Sequence, residues 1–327
     1  MIKKIGLAIL VIILVGVVFV YIRTRPSGDI NKYKTYFTND TSAPRDGEIK
    51  ASFFGVSTLL LDDGKTQLLI DGFFSRPSIT SALFTDIHSD TVEIARVLGQ
   101  FGINRLKGIF VTHSHYDHVF DAGYVSKMTG ATLYGSVSTL NVGRGAGVAE
   151  DMLKLYQPNT DVTIGEFTIR VVPSKHSPGN ALKDDGVAIA EPLPQPASMK
   201  VYSEGGSYDF FITHRQKKIF IKPSPNFIVG ALDSLKADVL FLGIPTITKQ
   251  DTAWTEQFYK ENVTSLKPAL VIPLHWDNFF YPLSDNLVML PKFTCNAEKD
   301  FDFFIGKATQ DHIDFKILQG THSIILK

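Results

Sequence analysis

Residues 108–118 read Gly-Ile-Phe-Val-Thr-His-Ser-His-Tyr-Asp-His, an apolar, β-branched run that passes straight into three histidines and an aspartate. The strand-like part, 108–112, gives the loop a base in a buried sheet. Alternate residues His113 and His115 can point to one side, while Asp117 and His118 continue round the turn to another. Imidazole nitrogen and carboxylate oxygen together suit zinc or a similar divalent ion, and this spacing can feed two adjacent metals. A surface loop that is merely histidine-rich is a poor account of such crowding when the whole chain of 327 residues holds nine histidines.

Outward from this stretch, strand and helix signals alternate. Segments 57–61 and 67–71 flank Asp62-Asp63-Gly64-Lys65, a hairpin turn. Residues 93–101 have helical spacing at Ile94, Val97, Leu98 and Phe101. Further hairpins pair 162–164 with 167–172 and 208–213 with 218–222, and buried-type strands follow at 239–242 and 270–273. Hairpins mixed with helices between later strands indicate a layered α/β or α+β domain over 48–327. No internal repeat or low-complexity tract is visible.

Residues 5–22 are eighteen positions without charge or proline, flanked by Lys3, Lys4, Arg23 and Arg25. At 1.5 Å per residue they span roughly 27 Å, the thickness of a bilayer core. The expectation is one membrane-spanning helix in 1–25 contacting lipid through residues 5–22, then a polar tether over 26–47. A cleaved signal peptide has a shorter apolar region and an A-x-A site, which this run lacks. The flanking positive charges are nearly balanced; the short N-terminal tail favours a single-pass signal anchor with the body extracytoplasmic.

Composition narrows the function classes. An apolar share of 44% supports a substantial core, and one cysteine, Cys295, excludes an internal disulfide framework and multi-cysteine metal sites. Lys plus Arg is 33, as is Asp plus Glu; removing the four basic residues of 1–25 leaves 29 against 33, a mildly acidic body. That argues against nucleic acid as a partner. Oligomeric state is left open. No Gly-x-Ser-x-Gly elbow supports a serine hydrolase. The glycine-rich stretch 143–147 could cradle a phosphate but lacks the lysine and spacing of a P-loop.

The H-x-H-x-D-H segment after a strand resembles the signature of metallo-β-lactamase fold hydrolases, over roughly residues 48–327. The resemblance implies a four-layer αββα sandwich with metals at one sheet edge, where a metal-held hydroxide attacks a carbonyl or phosphoryl centre. It implies that His113 and His115 ligate a first metal, with His176 as third ligand. Asp117, which would also orient the hydroxide, and His118 serve a second metal, closed by His275. Asp71 matches a carboxylate that supports the metal loop, its alternative being a turn cap with Gly72. His88 is undecided, and His214, His312 and His322 read as solvated or locally hydrogen-bonded.

One position departs from the pattern. Most dinuclear members have an aspartate bridging both metals, and here Ser224 or Asn226 stands in its place. A neutral oxygen holds two dications less well, so the expectation is one tight zinc and a weaker second site, with manganese or iron as alternatives. The implied activity is hydrolysis of an ester, phosphodiester, lactone or related bond of a small-molecule or lipid substrate; a non-catalytic metal- or ligand-binding domain is the competing class. Trp276, Phe279, Phe280, Tyr281, Phe73 and Phe74 either form an apolar rim for a lipid or amphipathic substrate or pack the core.

Overall fold

Turn chemistry closes the first hairpin where the sequence places it. The carboxylate of Asp62 accepts the Gly64 amide (2.7 Å) and that of Asp63 accepts the amides of Lys65 and Thr66 (2.8 and 2.6 Å), with Gly64 at φ +85. The strands so joined are β2 (Leu59–Asp62) and β3 (Gln67–Ile70), antiparallel in register Leu59 to Ile70. The computed structural model describes residues 2–179 and 182–327, so Met1 of the expected 1–25 segment lies outside the described residues.

Two mixed sheets of seven strands follow. In the first, β14 (Ser323–Leu326), β1 (Ile49–Phe53), β2 and β3 run antiparallel. From β3 onward, β4 (Leu106–Phe110), β5 (Thr132–Gly135) and β6 (Leu153–Leu155) add in parallel. The second repeats the pattern: β7 (Asp161–Ile164), β8 (Phe167–Pro173), β9 (Tyr208–His214) and β10 (Lys217–Lys222) are antiparallel. Then β11 (Val239–Gly243), β12 (Leu270–Leu274) and β13 (Asp314–Phe315) are parallel. The sequence shows no repeat, yet the two halves share one strand plan.

The inner faces meet through Phe110 and Phe210 (ring centroids 5.9 Å apart), and a Cβ on Gly108 would come within 2.8 Å of Ile164. Helices cover the outer faces, completing the αββα sandwich. Beside the first sheet lie α2 (Ile79–Phe84) and α3 (Thr91–Gln100), the latter capped by Asp90 and burying Ile94 and Val97. After β4 come α4 (Tyr116–Val119), α5 (Ala122–Thr129) and α6 (Val137–Gly145). On the second sheet are α7 (Thr252–Tyr259) and α8 (Ala297–Gln310), which buries Phe301 and Phe304. Glycines of the 143–147 stretch belong to the end of α6. A side chain on Gly145 would strike the Leu193 carbonyl, so close packing and not a phosphate cradle accounts for it.

The N-terminal helix α1 (Ile2–Thr24) leaves Ile5, Leu7 and the large apolar side chains of 9–22 exposed, and its 21-residue span Lys4–Thr24 is long and apolar enough to cross a membrane. Residues 26–47, expected as a polar tether, are instead packed on the domain. A 3-10 helix over Ile30–Tyr36 buries Ile30 and Tyr33, and Tyr33 stacks on Phe301 at 5.0 Å. The amides of Thr38 and Asp40 donate to the carbonyls of Ile317 and Ser323 (3.1 and 2.7 Å). Tyr36 and Phe37 also pack against the core, so a few apolar residues inside a polar stretch hold it down.

A fully buried ion pair between Arg76 and Asp277 ties the sheets together near the edge where the parallel strands end. The other Asp277 oxygen accepts the Val56 amide (2.7 Å), and the His275 amide donates to the Val56 carbonyl (2.6 Å). Removing one partner strands the other charge in the core. Arg76→Met should lower unfolding free energy by about 3–5 kcal/mol in urea titration. Adding Asp277→Asn, which keeps an acceptor for Val56, should recover part of that loss; a double variant as unstable as the single would remove the ion pair from this account.

Candidate metal centre

Five strand ends bring the chemistry to one edge. Asp71 follows β3, His113 and His115 follow β4, His176 follows β8, Ser224 follows β10 and His275 follows β12. Asp117 and His118 lie in α4, whose start at His115 turns the chain back over the sheet. Ring centroids of His113 and His118 are 3.9 Å apart, those of His115 and His176 are 4.6 Å apart, and those of His118 and His275 are 5.2 Å apart. The six expected ligands therefore sort into two triads, His113, His115 and His176 beside Asp117, His118 and His275. Within each, the candidate ligand atoms lie within 4.8 Å of one another.

The hydrogen-bond inventory fits a cation at each triad. Nε2 of His113, Nε2 of His118 and Nδ1 of His275 are buried with no hydrogen-bond partner among the described residues. Buried polar atoms are rarely left so, and imidazole lone pairs with one carboxylate are a zinc-like donor set. Burial pushes the His113 imidazole well below its usual pKa, and the neighbouring imidazoles His118, His115, His176 and His275 push it further. Burial, then His115 and His118, lower His176 to about 4. Both rings are thus neutral at pH 7, the state a metal requires.

The acid of the cluster behaves oppositely. Burial alone would raise the Asp117 carboxyl, but His118, His275 and His115 outweigh it and hold it well below the usual carboxylate range. Its Oδ2 lies 3.3 Å from Nε2 of His275 and 3.7 Å from Nε2 of His118. For His118, burial disfavours the charged ring, and Asp117 and Asp71 overcome this to raise its pKa.

Supporting contacts fix the rings. Asp71, fully buried, takes Nδ1 of His118 at 2.8 Å, the Thr112 amide at 2.7 Å and the hydroxyls of Thr112 and Ser57. It supports the loop and is no turn cap. Nε2 of His115 meets the Asp184 carboxylate at 3.2 and 3.3 Å, which leaves Nδ1 of that ring for the cluster. Asp184 in turn accepts the Glu204 amide (3.2 Å), and the Glu204 carbonyl accepts the Ser114 amide (2.9 Å). Sequence reasoning missed Asp184, Glu204 and Ser57. The signal for Asp184 was the Asp-Asp-Gly turn at 184–186, of the same kind as 62–64.

The other candidates separate cleanly. Ser224 is buried and lines the cavity over the triads, about 560 Å3 in volume. Asn226 does not; its amide donates to the His176 carbonyl (2.6 Å) and its oxygen accepts the Phe227 amide. Of the two, it is Ser224 that lines the cavity. Of the aromatics, Phe279 lines the cavity while Trp276, Phe73 and Phe74 belong to the core. His88 is exposed and bonded to the Ser89 carbonyl. His214, expected solvated or locally bonded, is buried against Asp63 at 3.2 Å, because its hairpin folds onto the first one.

Comparison with known proteins accords with this layout. The pattern of the metallo-beta-lactamase superfamily matches residues 51–212, a span from β1 into β9 that includes the histidine loop and His176. A metal-dependent hydrolase of Heliobacterium modesticaldum is 24% identical over 237 residues, which cover 71% of this chain and 84% of its own. A metal-dependent hydrolase of Christiangramia forsetii is 31% identical over 93 residues, 28% of this chain and about a third (34%) of its own length. Among solved structures, Igni18, a metallo hydrolase of the hyperthermophilic archaeon Ignicoccus hospitalis, aligns with a TM-score of 0.51 at 14% identity over 86% of this chain and 99% of its own; that likeness concerns the fold alone. Residues 51–212 of this chain thus belong to the metallo-β-lactamase superfamily by their sequence pattern, and the two-sheet architecture around them is that fold.

Proposed function

We propose that this metal-dependent hydrolase is held to a membrane by α1, works with zinc, and cleaves an ester, phosphodiester or lactone. The observation behind the reading is the pair of triads, with buried imidazole nitrogens that lack hydrogen-bond partners among the described residues, at the floor of a cavity. His113, His115 and His176 would hold one ion, and Asp117, His118 and His275 a second. A divalent ion bound there polarises the scissile group and lowers the pKa of a coordinated water to about 7. Asp117, kept ionised, is an acceptor that can orient the attacking water. Phe279 and Leu290 keep bulk solvent from the reacting bond.

Ser224 favours unequal sites. It offers no charge to share between two ions, so the second site rests on one carboxylate and two rings. The same residue is what favours a non-catalytic binding domain as second reading. Against that stands the completeness of the rest of the ligand set.

The anchor reading is supported by how α1 ends. The carbonyls of Arg23 and Arg25 accept the amides of Phe293 and Lys292 (3.0 and 2.9 Å), so the helix runs into the folded domain without a free linker, and cleavage beyond Arg25 would remove both bonds. We place the domain on the extracytoplasmic side of a single-pass helix. A C-terminal alkaline phosphatase fusion should be active and a green fluorescent protein fusion dark; the reverse pattern would put the domain in the cytoplasm.

With zinc added, the full chain should hydrolyse at least one member of a panel of chromogenic phosphodiesters, lactones, thioesters and a cephalosporin. His113→Ala should lose both turnover and metal, whereas Asp71→Asn should retain metal at about 10- to 100-fold lower affinity in chelator competition. Silence of the wild type across the panel at saturating metal would favour the binding domain. After dialysis, the wild type should keep one equivalent of zinc, and Ser224→Asp should keep closer to two. Two equivalents held equally by the wild type would overturn the unequal-site argument.

A further inference from the structure

The segment leaving α1 pairs with a stretch that walls the cavity over the triads. Residues 23–27 lie antiparallel to 290–293: the Phe293 amide donates to Arg23, the Lys292 amide to Arg25 and the Ser27 amide to Leu290 (3.0, 2.9 and 2.8 Å), with a bridge between Pro26 and Pro291. Leu290 and Phe293 line the cavity whose floor holds the two triads, and Phe293 is 37% exposed at its rim. One hydrogen bond therefore separates the last turn of the membrane helix from the mouth of the site.

The apolar run of α1 ends at Ile22, and Arg23 and Arg25 mark the level of the lipid headgroups. Arg23, Arg25 and Lys292 are exposed beside the mouth, and Lys249 lines the cavity with its ammonium on the Thr294 carbonyl. The cavity wall of Phe279, Leu290, Phe293 and Pro245 is apolar. Cations at headgroup level next to an apolar wall match a molecule with an anionic head and a hydrocarbon tail.

We infer that the site is mounted at the membrane surface and that its substrate is a lipid taken from the leaflet into which α1 is inserted. The inference rests on the anchored-hydrolase reading above and adds where the substrate comes from and which end enters. An acyl chain lies along Phe279, Leu290 and Phe293, the head stays by the cations, and the ester or phosphodiester bond lies over the triads. Water's oxygen bonds to the acyl carbon or phosphorus, the bond to the alcohol oxygen breaks, and that oxygen leaves with a proton.

Two measurements on the full chain in vesicles test this. In Phe293→Trp, the emission added to that of Trp254 and Trp276 should be quenched by lipids brominated near the top of the acyl chain; added emission that those lipids do not quench overturns the placement, whatever the activity. Second, a Gly-Ser insertion of about twelve residues between Thr24 and Arg25 frees the mouth by roughly 20 Å. It should reduce turnover of vesicle phospholipid at least about tenfold by lost effective concentration and leave a short-chain soluble ester of the same bond type within about twofold. Equal loss on both substrates, no loss on lipid, or hydrolysis of the soluble ester alone by the unmodified chain overturns the lipid substrate. If neither ester is cleaved by the unmodified chain, the hydrolase reading itself falls and the substrate with it, while the quenching still decides the placement.

Discussion

A carboxylate with no exposure to water, Asp71, is the constraint on which the metal edge depends. It takes hydrogen bonds from Ser57, from the amide and hydroxyl of Thr112, and from Nδ1 of His118. These partners come from the turn between β1 and β2, the end of β4, and α4 at the far end of the histidine loop. A single buried acid thus ties three separate segments and sets which nitrogen of His118 faces the cluster. The backbone bears the cost of this crowding. Val56, Asp71, Arg76 and His275 all have positive φ (53, 59, 45 and 60), a conformation that is strained for a β-branched residue such as Val56. Val56 is held there by Asp277 on one side and the His275 amide on the other.

Local chemistry was the readable part of the sequence. Asp62-Asp63-Gly64 announces a hairpin because its side chains cap their own turn, and the histidine loop is contiguous. Both need no distant partner. What sequence reading missed is long-range: Asp184 reaches His115 across 69 positions and Arg76 reaches Asp277 across 201. Nothing in a single chain marks such pairs until the sheets bring them together. The misreading of 26–47 has another origin. Averaged over the stretch, polar residues dominate, but the packing is decided by a few apolar side chains, Ile30 and Tyr33 buried on a short helix with Tyr36 and Phe37 against the core beside them.

The charge inventory of the site explains why its two halves should differ. An imidazole that ligates a metal does so as a neutral donor, so Asp117 is the only carboxylate in either triad. Two dications would then face each other with one carboxylate between them and Ser224 where a second might have stood. Repulsion at short range in a buried site falls slowly with distance and is poorly screened. Neutral donors suffice for the His113, His115 and His176 triad, because three rings satisfy the usual coordination of zinc with one position open. The Asp117, His118 and His275 triad must additionally offset its neighbour's charge.

The same inventory bears on how the domain would sit. The formal zero of the whole chain divides into four basic residues in 1–25 and an excess of four acids in the rest. At an anionic leaflet each nearby Lys or Arg is worth about 1 kcal/mol of attraction, and net negative charge elsewhere is repelled. Arg23, Arg25 and Lys292 cluster where α1 meets the cavity wall, so attraction and repulsion turn the body the same way. On the proposed anchoring, electrostatics and the backbone pairing of 23–27 with 290–293 would favour one orientation, with the mouth toward the lipid. A long flexible stalk would have left that orientation to diffusion; the packed 26–47 segment leaves it to the fold.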